Sequence, residues 1–298
     1  MWMLNVLDAL RISNDFSDAD GNGWKSTRCC YCNDHGRHLG ININSGAVNC
    51  FRCGTHFLAE TLQKLTGVSR SEVISLIKEN NKGGIQSIGR LNISSVKPLT
   101  FKDSGSLNRQ DKRYLIDRGF DPEVIVKEWD VKGSTNIGRF AYRLIIPIYF
   151  QKKMVAFQGR DVTEQARLRY KSSSSKIEGG MDVKSTLYGY DKLDCDRVLV
   201  VEGPTDVWRL GPGAAATYGT EFTPEQVFLI SQFSNRFIMF DSAPEAQMLA
   251  VKLTEELSIY SGSTELITFD NTDSKDPGGM ADTDANYIMR ELGLDRRV

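Results

Sequence analysis

The chain alternates between two hydrophobic periods, and the switch divides it into parts. Residues 39–43 and 47–51 alternate apolar and polar positions around Asn44-Ser45-Gly46, which predicts a short hairpin. Residues 56–67 and 69–81 space their apolar positions as helices do, with Ser69 or Ser71 as the cap of the second. Residues 80–98 (NNKGGIQSIGRLNISSVKP) hold adjacent glycines and no sustained period, which reads as a linker that would let the part before it move. A helix through DKRYLIDRG follows, and then the strand pair RLIIPIYF and KMVAFQGR, separated by Gln151-Lys152. From residue 198 strands and helices alternate: strands at 198–201, 214–218, 236–240 and 265–269, and helices through VWRL, from the capping box Thr223-Pro224-Glu225-Gln226, through EAQMLAVKLTEEL, and at 284–292. That alternation predicts a mostly parallel sheet with right-handed crossovers. The fold class is therefore α/β: a small N-terminal β module at 1–80, a linker at 81–105, an α+β subdomain at 106–192 and an α/β sheet at 193–298.

The run VLVV is apolar at every position, as a strand buried on both faces must be, and it stops at Glu202. The run RFIMF, apolar after Arg236, likewise reads as a buried strand and stops at Asp241. Open α/β sheets keep their chemistry at the carboxyl ends of strands. Two carboxylates on such ends suit a hard divalent cation, which takes one or two protein oxygens and otherwise water and phosphate.

The 298 residues are 40% hydrophobic and 25% charged with a net charge of −1, as in an ordinary soluble protein. No apolar run approaches the roughly 20 residues that span a bilayer, and the first residues lack the basic segment and cleavage site of a signal peptide, so the expected location is cytoplasmic. Charge is unevenly placed. Residues 151–176 carry seven basic side chains against two acidic, while residues 241–298 carry twelve acidic against five basic. A basic strip feeding an acidic, metal-holding site can grip a polyanion in one place and act on it in another.

Five of the six cysteines lie in TRCCYCNDHGRHLGININSGAVNCFRCGTHF. Cys29-x-x-Cys32 and Cys50-x-x-Cys53, seventeen residues apart, have the spacing of a structural zinc ribbon. Cys30 closes a knuckle less readily than Cys29, and His35, His38 and His56 are not needed once four thiolates complete a tetrahedron. His35, Arg37 and His38, with Arg28, Phe51 and Arg52, form a basic and aromatic surface of the kind that reads unpaired template bases. Cys195 reads as a buried thiol near a strand start.

The order of these parts resembles the bacterial and phage DNA primases of the DnaG type: a ribbon ending in CF-x-CG, a helical pair, a GR then a RYKSS pattern, a LYG, and an EG-x-x-D strand-turn. The resemblance runs from about Cys29 to about Met280. It implies a TOPRIM-type sheet whose acids are Glu202 with Asp206, then Asp241, then Asp276 of SKDPGGM. It also implies a groove for template and nucleotide phosphates built by Arg160, Arg169 and Lys171, with Arg143 beside them. On this resemblance the chain would be a primase making short oligoribonucleotides on single-stranded DNA from ribonucleoside triphosphates, with structural Zn2+ and catalytic Mg2+ or Mn2+ on Glu202, Asp241 and Asp276. A separate replicative helicase is an implied partner, because no G-x-x-x-x-G-K-[ST] loop is present. A phage source is implied because the chain ends where cellular versions continue.

One position departs from the family pattern. Its second acidic motif is usually Asp-x-Asp, and here it is Asp241-Ser242-Ala243. Glu245 is the nearest substitute, but Ser242-Ala243-Pro244-Glu245 also reads as a capping box. The departure favours, as alternatives, a zinc-ribbon and TOPRIM adaptor that binds single-stranded DNA without catalysis; a TOPRIM nuclease would use the same acids for hydrolysis.

Overall fold

The computed structural model describes residues 2–32, 35–81, 99, 101, 104–193, 196–268 and 274–294. Cys195 and most of the expected linker lie outside the described residues.

The N-terminal module opens with a helix absent from the sequence reading, α1 (Trp2–Ala9), which buries Met3, Val6 and Leu7 on one stripe. Four antiparallel strands follow in chain order: β1 (Trp24–Thr27), β2 (Leu39–Asn42), β3 (Val48–Cys50) and β4 (Gly54–His56). The expected hairpin joins β2 and β3. Asn42 Oδ1 accepts the N–H groups of Asn44 and Ser45 at 3.1 and 3.0 Å, and Gly46 takes the left-handed conformation (φ 72°) that the turn demands. Then come α2 (Leu58–Thr66) and α3 (Arg70–Asn80). Ser69, not Ser71, caps α3, its hydroxyl accepting the Glu72 N–H at 3.3 Å.

The middle part is a five-stranded antiparallel sheet of β5 (Ser104–Gly105), β6 (Lys132–Ser134), β7 (Arg143–Phe150), β8 (Lys153–Asp161) and β9 (Tyr170–Ser172), in that order. Between β5 and β6 run α4 (Arg109–Asp117) and α5 (Pro122–Trp129). The β7–β8 turn is the two-residue one expected: Gln151 and Lys152 both have positive φ (51° and 62°), and the Asp191 carboxylate accepts both of their N–H groups, at 2.8 and 2.6 Å. The end of the expected linker is built into this sheet. Leu99 donates its N–H to Met154 O at 2.8 Å, and Ser104 and Gly105 pair with β6.

The last part is a parallel sheet in the order β11-β10-β12-β13, from β10 (Arg197–Val201), β11 (Ala214–Ala216), β12 (Asn235–Ile238) and β13 (Ser263–Leu266). Its helices are α6 (Pro204–Leu210), α7 (Pro224–Ser231), α8 (Pro244–Leu257) and α9 (Asp282–Glu291). The Thr223–Gln226 capping box forms. The Ser242–Glu245 box does not: Ala243 occupies the N-cap of α8 without a side-chain acceptor, and Glu245 is exposed one position earlier in the helix than the box requires. Gln247 closes this corner instead, donating through Nε2 to Phe240 O and Asp241 O at 3.1 and 2.8 Å.

The middle and last parts share one hydrophobic core, so the expected boundary near residue 192 is not a gap in packing. Trp208 of α6 packs edge-on against Phe120 and donates to the Tyr188 hydroxyl at 2.7 Å, and Tyr188 in turn bridges to Ala216 of β11. The N-terminal module has its own core and rests on α7 and α8. Arg70 of α3 pairs with Glu256 at 2.6 Å and Glu255 at 3.2 Å, Thr55 donates to Glu225, and Phe57 meets Phe222 edge to face. Glu256 is 2% exposed, so the Arg70 guanidinium is what makes its burial tolerable.

Candidate functional sites: a thiol cluster and an acid cleft

Cys29, Cys32, Cys50 and Cys53 bring their sulfurs within 4.8 Å of one another. A tetrahedral zinc ion with Zn–S near 2.3 Å needs sulfurs about 3.8 Å apart. Cys29–Cys53 stand at 3.5 Å and Cys32–Cys50 at 3.9 Å, so the four thiols are spaced to hold zinc. Backbone N–H groups prepare the ligands: Tyr31 donates to Cys29 Sγ at 3.4 Å and Arg52 to Cys50 Sγ at 3.5 Å. Burial raises the Cys50 thiol, but the N–H groups of Arg52 and Cys53, together with the Cys53 and Cys29 thiols, outweigh it and bring it down to about 7. Cys30 stays outside the cluster. His56 stacks on Tyr31 at 3.8 Å between ring centroids, with Nε2 3.2 Å from Cys53 Sγ. His35, Arg37 and His38 are exposed on the loop before β2, and Phe51 at the opposite knuckle is 83% exposed.

The second site lies where β10 and β12 end side by side. Parallel pairing aligns Val200 with Ile238, so the residues that follow each strand emerge at one rim. Glu202 reaches across that rim, its Oε1 accepting the Asp241 N–H at 2.8 Å. Asp206, in the first turn of α6, accepts Gly203 N–H through Oδ2 at 2.8 Å and Gly278 N–H through Oδ1 at 3.0 Å. Asp276 caps the short turn Pro277–Gly279, accepting the Gly279 N–H at 2.7 Å, and Ser242 N–H donates to Lys275 O at 2.8 Å. The loop carrying Asp276 is thereby tied to the end of β12.

All four acids line one cleft of about 350 Å³. Burial, then Glu202 and Asp276, pushes Asp241 up to about 7. Burial pushes Asp206 up to about 8, against the Gly203 N–H and with the help of the other three acids. Burial also raises Glu202, opposed by the Asp241 N–H and aided by Asp276. Asp241 Oδ1 is buried without a hydrogen-bond partner. Among the described residues no three of these carboxylates converge within 4.8 Å, as the cysteines do.

The same cleft is lined by Arg118, Arg160 and Arg169, with Gln158 and Tyr170. Arg160, on β8, is 6% exposed and lies over the rings of Tyr170 (4.8 Å) and Tyr114 (5.4 Å). Two other expected residues stand elsewhere. Arg143 is 7% exposed and spends its guanidinium on the carbonyls of Gly159, Leu168 and Arg169, bracing the segment that presents Arg169 rather than facing the cleft. Lys171 donates to Arg139 O at 3.0 Å and does not line the cleft. Lys152, from the same basic window, lines a separate pocket beside Tyr149. Only part of the strip therefore feeds the acids. Sequence reasoning missed Arg118, Tyr114 and Tyr170, which have no spacing signal. Arg118 follows α4 directly, in the DRG that was read only as a helix end.

No family model matches the chain, and no curated protein matches it. Solved structures similar to it are DnaG-type primases. They include the zinc-binding and RNA polymerase domains of the Aquifex aeolicus primase, at 16% identity over 97% of this chain and 80% of that one, with TM-score 0.48. The RNA polymerase domain of Mycobacterium tuberculosis primase DnaG is 18% identical over 75% of this chain and 83% of that one, with TM-score 0.48. The primase fragment of the bacteriophage T7 primase-helicase protein is 13% identical over 89% of this chain and 94% of that one, with TM-score 0.42.

Proposed function

We propose that this chain is a DNA-directed RNA primase of the TOPRIM type, joining ribonucleotides on a single-stranded DNA template. The observation that carries the reading is one cleft lined by Glu202, Asp206, Asp241 and Asp276 together with Arg118, Arg160 and Arg169. Burial and neighbouring acids hold Glu202, Asp206 and Asp241 above the ordinary carboxylate range, and the buried Asp241 Oδ1 has no hydrogen-bond partner, so the cleft suits a divalent cation. Glu202, Asp241 and Asp276 would hold magnesium or manganese, whose bound form supplies activation of a primer 3′-hydroxyl and charge neutralisation on departing pyrophosphate. Their wider spacing than the cysteines fits an ion that keeps waters and phosphate oxygens as its remaining ligands.

The chain's own part is positioning. Arg160 and Arg169 neutralise phosphates of nucleotide and template. Asp206 holds the turn that carries Asp276. The exposed His35, Arg37 and His38 of the zinc module contact template bases. A gel of products from single-stranded templates, labelled ribonucleotides and either metal tests the reading. Oligoribonucleotides are expected from the wild type and none from Glu202→Gln, with template binding retained; wild-type product from Glu202→Gln overturns the site.

The Ala243 position supports a second reading, a single-stranded-DNA adaptor without catalysis. In the same experiment it predicts metal-independent binding and no product from the wild type.

A further inference from the structure

A pocket of about 270 Å³ lies where the N-terminal module rests on α7 and α8. Val48 and Leu58 line it from the core of that module and Val227 from the core of the other two parts, so two separately packed bodies share its surface. Residues of the pocket also make the contacts that join those bodies: Glu256 with Arg70, Glu225 with Thr55, and Phe57 with Phe222 at 5.6 Å between ring centroids. The space is therefore braced at its edges while its middle stays unfilled. Junctions between domains that combine an apolar lining with a few converging polar groups are where small ligands bind. None of the lining residues belongs to the acid cleft, so occupancy of this pocket is independent of the primase reading.

The charge of the pocket selects its occupant. Glu225 and Glu256 line it, and no Lys or Arg does. Glu256 is already neutralised by Arg70, but among the described residues Glu225 has only the Thr55 hydroxyl and no ion-pair partner. Tyr260 also lines the pocket, and among the described residues its hydroxyl makes no hydrogen bond. Burial, and then Glu256, holds its pKa above the usual range, so it stays a neutral phenol with an oxygen free to accept. His56 is committed elsewhere, stacked on Tyr31 with Nε2 against Cys53 Sγ. Lys252 shows what this junction attracts: its ammonium lies over the rings of Phe57 and Phe222, at 5.6 and 5.9 Å from their centroids. An anion here would meet two carboxylates, whereas a flat apolar ring bearing a positive charge matches the lining. We propose that the pocket binds a small amphipathic cation, an aromatic ring carrying a protonated amine, and that this ligand fastens the N-terminal module onto α7 and α8. The volume falls just below the roughly 300 Å³ of the smallest ordinary ligand pockets, which limits the occupant to one ring system with a short arm. Contact with both bodies makes the ligand favour the docked arrangement over any other, since it loses half its partners when they part.

Titration of the zinc-loaded full chain with tryptamine and with indole-3-propionate, which share a ring and carry opposite charges, tests the site by ligand-observed NMR. Tryptamine is expected to bind saturably and at least about tenfold more tightly than the acid, the factor that one charge interaction of ordinary strength supplies. Glu225→Gln keeps an oxygen for the Thr55 hydroxyl, so its melting temperature should stay level while tryptamine affinity falls several-fold and that of the acid does not. Ala47→Trp, at an exposed position of the lining, should fill the pocket and abolish binding. Hydrogen exchange followed by mass spectrometry reads the fastening: tryptamine should slow exchange in peptides from β3, β4, α7 and the end of α8, and leave those from β7 and β8 unchanged. No saturation below about 10 mM overturns the site. Equal affinity for the two indoles, or binding that Glu225→Gln leaves intact, overturns its charge preference and with it the proposal. Binding without slower exchange on both sides of the junction overturns the fastening.

Discussion

Asp206 and Gly278, 72 residues apart, are joined by a hydrogen bond of 3.0 Å from the Gly278 N–H to Asp206 Oδ1. The second oxygen of Asp206 closes its own helix start on Gly203. One buried carboxylate thus fastens the strand end carrying Glu202 to the turn carrying Asp276. Asp206→Ala should cost about 1–3 kcal/mol for each N–H left unsatisfied. Gly278→Ala should act in the same direction, because a Cβ there would lie 2.7 Å from Asp206 Oδ1. Thermal unfolding of both variants, with the metal concentration that half-saturates product formation, measures the effect: both are expected to melt lower and to need more metal.

Ala243 opens α8 without a side-chain acceptor. Ala243→Asp should supply one and stabilise the protein by about 0.5–2 kcal/mol. The same change restores the Asp-x-Asp pattern beside Asp241. The expected outcome is a higher melting temperature and product formation at lower metal concentration; a stabilised protein with unaltered metal dependence would assign position 243 to capping alone.

Zinc content separates the cluster from its neighbour. Cys32→Ser should release the metal and unfold the N-terminal module, because the binding free energy of a structural site is folding free energy. Cys30→Ser should keep one zinc per chain. Colorimetric zinc release on thiol modification, with circular dichroism, reads both.

The acid cleft sets a pH dependence. Asp241 and Asp206 have folded-state pKa values of about 7 and about 8, above the usual aspartate range. The folded chain therefore binds more protons than the unfolded one between about pH 4 and pH 8, and their contribution to stability is full below pH 4 and lost as pH rises through the folded values. In magnesium-free buffer the melting temperature should fall from pH 6 to pH 8.5, and added magnesium should offset the fall. Asp241→Asn should flatten the slope, and a slope equal to the wild type would show that the cleft does not set it.

Glu202 and Asp241 were legible because apolar runs end abruptly at a carboxylate, and a strand buried on both faces leaves no other reading of such a run. The four zinc-spaced cysteines were legible because ligand spacing is a local property. The capping box at residue 242 was misread, since Ser-x-x-Glu fits two helix starts that differ by one residue and only the backbone chooses between them. Helix α1 was missed because its stripe spans barely two turns. Arg143 was expected beside the phosphate groove on the family resemblance, and only the register of β7 against β8 turns it inward onto the Gly159 carbonyl.

Local chemistry in the chain determined the order of elements, the thiol cluster and the two strand-end acids, because each depends on residues near one another in sequence. The tertiary structure alone decided which cations share a cleft with those acids, that Asp206 fastens Gly278, and that Arg160 lies over Tyr114 and Tyr170. Those relations join residues tens of positions apart, and it is the packing of separate elements around a shared core, not any periodicity, that sets their distance.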